Sequence, residues 1–389
     1  MPTVLVKLWQ HRSRLWQRYI WRQTPYALYS WRYCLASKNS ALQYQRKFAL
    51  KVLPELPRAV AAILVLNQLL FWYLWHAPTA VVRVFRFHQA TIAQPRLQQI
   101  MALLRLAYSR TIHPAAYYQL QLYRYPYSQT FDFVYGQQLP DWHKVWQPEL
   151  AESVQSLIQD KVLFAQYMSA IGLTTIPTLL TLQRGEVLTA LPHNTEPVLF
   201  FKPRAASRAE GCFALHLTAS DPVIASFTER VCGKDDVIAF INKKISLQQY
   251  LVQPLVQHHS ELNQFLSEVT PETPVITVRL VTAHCDNTVY FWAANLEVNT
   301  GQQRFNVLPI DPETGKLYGD NTLLPHWQTL LDQARKGHSA LAAVKTLGWD
   351  FIIAENDVYC LEVNLNWGVL AVQSPEQGGL VSKYIATFK

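Results

Sequence analysis

At 389 residues and 50% hydrophobic content, the chain can bury a sizeable core and is too apolar to stay disordered; its length calls for two domains or one with a substantial extension. Its formal charge of +8 and pI near 9.1 admit nucleic acid, an anionic membrane surface or an anionic substrate as partner, so where the charge lies matters more than its sum. The five cysteines, Cys34, Cys212, Cys232, Cys285 and Cys360, are odd in number and show no CxxC or Cys/His spacing, which argues against a disulfide framework or structural zinc and for a reducing compartment.

The charge is concentrated at the start. Lys7, Arg12, Arg14, Arg18, Arg22, Arg32, Lys38, Arg46, Lys47, Lys51 and Arg58 face one acid, Glu55, and the remainder is close to neutral. Trp9, Trp16, Trp21 and Trp31 interleave with these cations. Three readings stay open: contact with an anionic lipid surface, stacking on nucleic acid, or a solvated amphipathic face, the commonest fate of a charge run. No nucleic-acid motif is matched by spacing, so no nucleic-acid partner is expected. No apolar run with a small-residue cleavage site follows the basic start, so no cleavable signal peptide is expected.

Residues 59–82 carry no charge beyond what His76 can hold, and Arg58 and Arg83 bracket them. At about 1.5 Å per residue they are long enough to span a bilayer, but Asn67 and Gln68 sit near the centre and Pro78 is expected to break the last turn. A buried helix of an N-terminal domain is expected, with a helix lying on a membrane surface as the alternative. From 83 to 150 the chain reads as helical, then irregular and tyrosine-rich, interrupted by Pro114 and Pro126. Pro140 and Pro148 set a boundary near 150, separating a basic, aromatic-rich helical domain (1–150) from a second domain (151–389).

Asp160 is a good N-cap, and Val162, Ala165, Met168 and Ile171 follow at helical spacing until Gly172. Lys161 therefore stands at a helix start; the plain reading is a surface lysine, and a phosphate bound there would offset the unfavourable dipole. VLFF (198–201) is a short buried strand running into Lys202 and Pro203. The loop after it, with Arg204, Ser207, Arg208 and Gly211, is either an ordinary turn or a cradle for polyphosphate. YLVQPLV (250–256) is a strand, and the adjacent His258 and His259 point to opposite sides and do not share an ion. VITVRLVTA (275–283) alternates around Arg279, which either snorkels to solvent or faces an anion.

The last segment is the most informative. Gly348, Trp349 and Asp350 lead through FIIA and a turn at Glu355–Asp357 into VYCLEVN, a hairpin of two apolar strands. Glu362 and Asn364, two apart, project to one face. Together with Asp350 they make a hard-oxygen set suited to Mg²⁺, and Glu362 lies in CLEVNL, where an unpaired acid is costly. The plain alternative is a polar strand end with solvated carboxylates.

In this order the pieces resemble the ATP-grasp superfamily, and its sugar-transfer associated branch, related to alpha-L-glutamate ligases, in particular. The resemblance runs over roughly residues 150–389. It is carried by Asp160-Lys161, Phe201-Lys202-Pro203, Gln253 with QHH, Thr277-Val278-Arg279 with Leu280-Val281-Thr282, and above all Gly348-Trp349-Asp350 with Glu362-x-Asn364-x-Asn366-Trp367-Gly368. It implies an α+β ATP-grasp fold, two α+β subdomains with ATP between antiparallel sheets, preceded by the mainly helical N-terminal domain. Lys161 and Lys202 would then meet the ATP phosphates, Ser207 and Gly211 would sit in the phosphate loop, and Gln253 beside adenine and ribose. Glu362, Asn364 and Asp350 would hold Mg²⁺, and Arg279 and Lys202 would be the catalytic groups, Arg279 steadying the transferred phosphoryl.

The implied reaction activates a carboxylate with the γ-phosphate of ATP and lets an amine or other nucleophile displace phosphate from the acyl-phosphate. The branch points to small-molecule or glycan-linked carboxylate and amine substrates, an amino acid joined to a sugar or surface polysaccharide among them. Use of ATP implies a cytoplasmic location, peripheral at the inner face of the membrane if the N-terminal domain touches lipid; a single span would strand the site on the side lacking ATP. The chain departs from the branch in having Gly211 alone in the phosphate loop, Ile276 where an asparagine is usual, and NTGQQRFNV without paired glycines. Those departures keep a second expectation open: a non-catalytic nucleotide-binding or scaffold protein of an envelope-glycan assembly.

Overall fold

The computed structural model describes residues 30–388 apart from 35–36, 53–57, 89, 91, 137, 140–141, 144–149, 193–195, 205–210, 218–221, 227–229, 267–274 and 300–304. Trp9, Trp16, Trp21, the cations up to Arg22, Pro140, Pro148, Ser207 and Arg208 therefore lie outside the described residues. Two compact units emerge, Met1–Pro148 with Gly368–Lys389, and Glu149–Trp367.

The first unit contains the helices α1 (Ser40–Val52), α2 (Arg58–Phe71), α3 (Ala77–His88) and α4 (Arg96–Arg110). A π-helical turn, Trp72–His76, carries α2 into α3, with the Ala77 N–H donating to the Trp72 carbonyl. Pro78 does not end the helix as expected. It sits in the first turn of α3, where the preceding wide turn gives its ring room, and the Thr79 hydroxyl donates to the Trp75 carbonyl at 2.8 Å.

Burial along this run is one-sided, which corrects the expected buried helix. Trp72, Ala77, Val81 and Val84 pack with Leu103, Leu106 and Ala107 of α4, and Trp72 Nε1 donates to the Ala107 carbonyl at 2.8 Å. Ile63, Leu66, Leu70, Leu74, Trp75, Val82 and Phe87 are exposed. The chain's last segment belongs to this unit through reciprocal amide bonds: the Val134 N–H donates to Gln373 Oε1 at 2.9 Å, and Gln373 Nε2 donates to the Val134 carbonyl at 2.8 Å. Ser382 N–H donates to Asp132 Oδ1 at 2.6 Å at the start of the helix Val381–Phe388.

The second unit is α+β. It opens with α5 (Glu152–Gln159) and α6 (Lys161–Ala170), followed by β1 (Leu180–Leu182), β2 (Val198–Pro203), β3 (Phe213–His216), β4 (Val223–Ser226) and β5 (Arg230–Cys232). Then come α7 (Lys234–Leu247), β6 (Tyr250–Pro254), β7 (Ile276–Cys285), β8 (Thr288–Asn299), β9 (Phe305–Ile310), α8 (Trp327–Ala340), β10 (Thr346–Ile353) and β11 (Val358–Asn364). Two antiparallel sheets result, ordered β1-β6-β2-β3-β4-β5 and β11-β10-β7-β8-β9. Val237, Ile241 and Ile245 of α7 seal the first against Leu199, Phe201 and Val252. Phe164 and Met168 of α6 and Leu330, Leu331 and Ala334 of α8 fill the core beside the second.

Local chemistry sets the ends of α6. Asp160 accepts from the Val162 and Leu163 N–H groups at 2.9 and 3.3 Å, and Gly172, at φ +78°, follows its end.

A buried polar chain ties α8 to the sheet. Trp349 Nε1 donates to Thr282 Oγ1 at 2.8 Å, Thr282 Oγ1 lies 2.6 Å from His338 Nδ1, and His338 Nε2 lies 2.9 Å from the Val344 carbonyl. A carbonyl only accepts, so Nε2 carries the hydrogen and Nδ1 accepts from the threonine hydroxyl. Burial pushes His338 down to about 4, from an ordinary value near 6.5. The unfolded chain therefore takes up a proton that the folded chain refuses. Stability is full above pH about 6.5 and falls as pH drops toward 4, by up to roughly 3 kcal/mol. Urea unfolding at a series of pH values is expected to give a flatter acid limb for His338→Gln than for the native chain; an unchanged slope would remove His338 as its source.

Candidate active site

The five-stranded sheet lines up four polar residues in one cross-strand row. Asp350 of β10 lies opposite both Glu362 of β11 and Arg279 of β7, and Arg279 lies opposite Asn295 of β8. Directly opposed residues share a face. Their strand neighbours Trp349, Val363, Leu280, Val278, Leu296 and Ala294 point the other way into the core. Gly348 opens the row because its neighbour allows nothing larger: a Cβ there would come within 2.5 Å of the Trp367 Cβ.

Within the row the contacts are ionic. Arg279 Nη2 donates to Asp350 Oδ2 at 3.1 Å, its Nε closes on Oδ1, and Glu297 Oε1 lies 3.9 Å from that Nε. Burial holds the Asp350 carboxyl above the usual carboxylate range, even though the Arg279 guanidinium pulls it down. Arg279 stays charged beside Asp350 and Glu297. Asn364 Nδ2 donates to Asp350 Oδ2 at 3.2 Å and to Glu362 Oε1 at 3.4 Å.

That amide N–H group lies between two carboxylates, the position a small cation favours, and a half-turn of the amide presents Asn364 Oδ1 there instead. Two carboxylates and an amide oxygen fit Mg²⁺ by donor chemistry. Among the described residues no group of three or more His, Cys, Asp and Glu is arranged to hold a metal; here the third donor is an amide.

Two cations, Lys161 at the start of α6 and Lys202 at the end of β2, come near the same strand. Lys161 Nζ donates to the Pro203 carbonyl at 3.2 Å and lies 3.8 Å from Glu362 Oε2. Lys202, at the end of β2, is pushed down to about 8, first by burial and then by Lys161, while Glu362 pulls it up. Burial pushes the Cys212 thiol of the same group up to about 11. Two lysines grouped near one carboxylate leave local positive charge suited to an anion.

The supports are equally specific. Arg204 Nε donates to both Asp160 oxygens at 3.1 Å, binding the end of β2 to the cap of α6 and so fixing Lys161 relative to Lys202. Arg204 thus serves the helix cap rather than the loop assigned to it from the sequence. Gly211 has φ +77°, and the Tyr250 hydroxyl donates to its carbonyl at 3.1 Å.

Gln253, expected beside adenine, is 2% exposed, and its Nε2 donates to the Ile176 carbonyl at 3.0 Å. His258 and His259 take separate partners, Asn263 Oδ1 at 2.9 Å and Glu355 Oε2 at 3.4 Å. Asn295, Glu297 and Cys212 escaped sequence reasoning. Glu297, in the apolar run FWAANLEVN, carried the same signal as Glu362 in CLEVNL.

Lys161 of α6 and Lys202 at the end of β2 in the first sheet thus come near Glu362 of β11 in the second. Residues 300–388, which include the Gly348–Gly368 motif, match the family described as sugar-transfer associated ATP-grasp. No curated protein matches the chain.

Among solved structures, an L-amino acid ligase from Bacillus licheniformis matches at 11% identity and a TM-score of 0.37, over 61% of this chain and 48% of its own. A D-alanine-D-alanine ligase from Helicobacter pylori matches at 14% and 0.37, over 60% and 62%. The ATP-grasp ligase PsnB, complexed with a phosphomimetic variant of its minimal precursor, Mg and ADP, matches at 15% and 0.35, over 67% of each chain. The chain spans less than two thirds of the first two, and likenesses of this size say nothing of activity or substrate.

The Arg279–Asp350 pair lends itself to a mutant cycle. Arg279→Gln leaves a buried carboxylate without its counter-charge and is expected to cost about 3 kcal/mol in urea unfolding. Adding Asp350→Asn is expected to recover part of that loss; additive effects of the two substitutions would mean that the pair is not coupled.

Proposed function

We propose that the chain is an ATP- and Mg²⁺-dependent carboxylate ligase of the ATP-grasp type. The observation that carries this reading is Lys161 at 3.8 Å from Glu362, with Lys202 within electrostatic reach of both, Glu362 being the acid that Asn364 joins to the Asp350–Arg279 pair. Lys161 and Lys202 bind and orient the ATP phosphates. Asp350, Glu362 and Asn364 would hold Mg²⁺, which supplies neutralising charge to phosphate oxygens when bound.

A carboxylate oxygen of the substrate attacks the γ-phosphorus, the bond to ADP breaks, and an acyl-phosphate forms. An amine then attacks the acyl carbon, phosphate departs with the bonding pair, and the amine proton is released. Arg279, kept charged by Asp350 and Glu297, stabilises the oxyanion that develops. The chain's share of the work is orientation and electrostatics, with no protein nucleophile required.

The family description supports a finer reading, in which the acceptor amine or the carboxylate is carried on a sugar or a surface polysaccharide. Dependence on ATP supports work in the cytoplasm. A second reading, nucleotide binding without turnover in a glycan-assembly scaffold, draws on one feature: the Arg279 ion pair occupies both oxygens of Asp350.

Calorimetry with ATP, with and without Mg²⁺, tests the proposal. Mg²⁺-dependent binding is expected, with affinity about tenfold or more lower in Glu362→Gln. Phosphate release should follow when the right member of a panel of amino acids and uronic acids is added. Mg²⁺-dependent binding with no release on any acid supports the scaffold reading, and no ATP binding at all defeats both.

Lys202 adds a pH signature. Its lowered value means that an arriving phosphate draws a proton onto it, so proton uptake on ATP binding is expected near pH 8 and affinity should fall as pH rises through that value. Comparing binding enthalpies in buffers of different ionisation heat measures the uptake, which Lys202→Met should abolish.

A further inference from the structure

Charge and exposed apolar surface coincide in the first unit. Residues 1–131 hold seventeen Lys and Arg and a single acid, Glu55, and residues 56–131 hold no acid at all. Ile63, Leu66, Leu70 and Leu74 recur at three- and four-residue intervals and are exposed, with Trp75, Val82 and Phe87 continuing the apolar surface toward the end of α3. Leu74 is 76% and Phe87 81% exposed, values at which a large apolar side chain meets mostly water. Arg83 and Arg86 are exposed beside Val82 and Phe87, and these four line a shallow depression with Pro78 and Thr79. The opposite side of the same run is spent on α4, through Trp72, Ala77, Val81 and Val84.

No helix of the described residues is long and apolar enough to cross a membrane. A helix lying in the interface buries such a face while leaving its cations among headgroups. We propose that the α2–α3 run is a docking face for an anionic lipid bilayer. Leu74, Trp75, Val82 and Phe87 enter the acyl boundary, Trp75 with the amphipathic ring suited to that depth, and Arg83 and Arg86 meet lipid phosphates.

Charge complementarity selects this occupant. A second copy of the face would set Arg83 and Arg86 against cations, with no acid between residues 56 and 131 to answer them. Nucleic acid answers the cations but offers no apolar phase to Leu74 and Phe87. An anionic bilayer answers both.

Vesicle flotation with the full chain tests this independently of the ligase reading. The probes are vesicles of phosphatidylcholine alone and of phosphatidylcholine with about one part in three phosphatidylglycerol. Binding to the anionic vesicles that falls with added salt is expected, with little binding to the neutral ones. Arg83→Glu with Arg86→Glu, and separately Leu74→Glu with Phe87→Glu, should each lower binding about tenfold or more, with circular dichroism and melting midpoint near those of the native chain. Trp75→Phe adds no charge and should reduce quenching of tryptophan fluorescence by brominated lipid. Three results would each overturn the proposal: no binding to anionic vesicles, binding untouched by Leu74→Glu with Phe87→Glu, or a native dimer that this double substitution dissociates.

Discussion

The buried contact between Arg279 and Asp350 fixes the second unit. An arginine and an aspartate facing each other across adjacent strands cost more than they return unless both are held and further hydrogen-bonded. Here Glu297 and Asn364 supply those additional partners from β8 and β11. The pair therefore pins the register of four strands at once. Slipping β10 by one residue would send Asp350 into the core and bring Trp349 out onto the polar face. The polar row, the approach of Lys161 to Glu362 and the burial of Lys202 all depend on that register.

Legibility from the sequence followed the distance over which each feature is determined. The cap at Asp160, the stop at Gly172 and the β10–β11 hairpin are set by residues close in the chain, and each was readable. The α+β class with two antiparallel sheets was what the resemblance carried by the Gly348–Gly368 motif implied, and the helical N-terminal region was read from composition and prolines. The partners of Asn295 and Glu297 depend on how β7 meets β8, which no local pattern specifies. Arg204 looked like part of a phosphate loop because a cation in a polar loop has no visible partner until Asp160 is brought alongside it. For Gln253, a nearby backbone carbonyl was the unseen competitor. The run from 59 to 82 was expected to be buried on composition alone, but composition does not reveal which side α4 covers.

The two halves of the chain use arginine in opposite ways. Arg279 is held by acids, loses most of its water, and is useful because its position is fixed. Arg83 and Arg86 stay solvated, useful because they keep their freedom until something anionic arrives. Arg110 stands between these cases. It is buried with no acid partner among the described residues, donating to Thr130 Oγ1 at 2.8 Å and Gln45 Oε1 at 3.3 Å, with its guanidinium 3.8 Å from the Phe131 ring centroid. Neutral hydrogen-bond acceptors and a ring face are enough to keep it ordered there.

The reciprocal bonds between Gln373 and Val134 bear on how the chain is made. The first unit takes residues from both sides of the second in the sequence, so a ribosome releases every residue of the second unit before the first can close. For the whole of that interval Val134 and Asp132 have no partner from the C-terminal segment, and the aromatic-rich helices around them must wait incomplete. The unit first in sequence is thus the later to close.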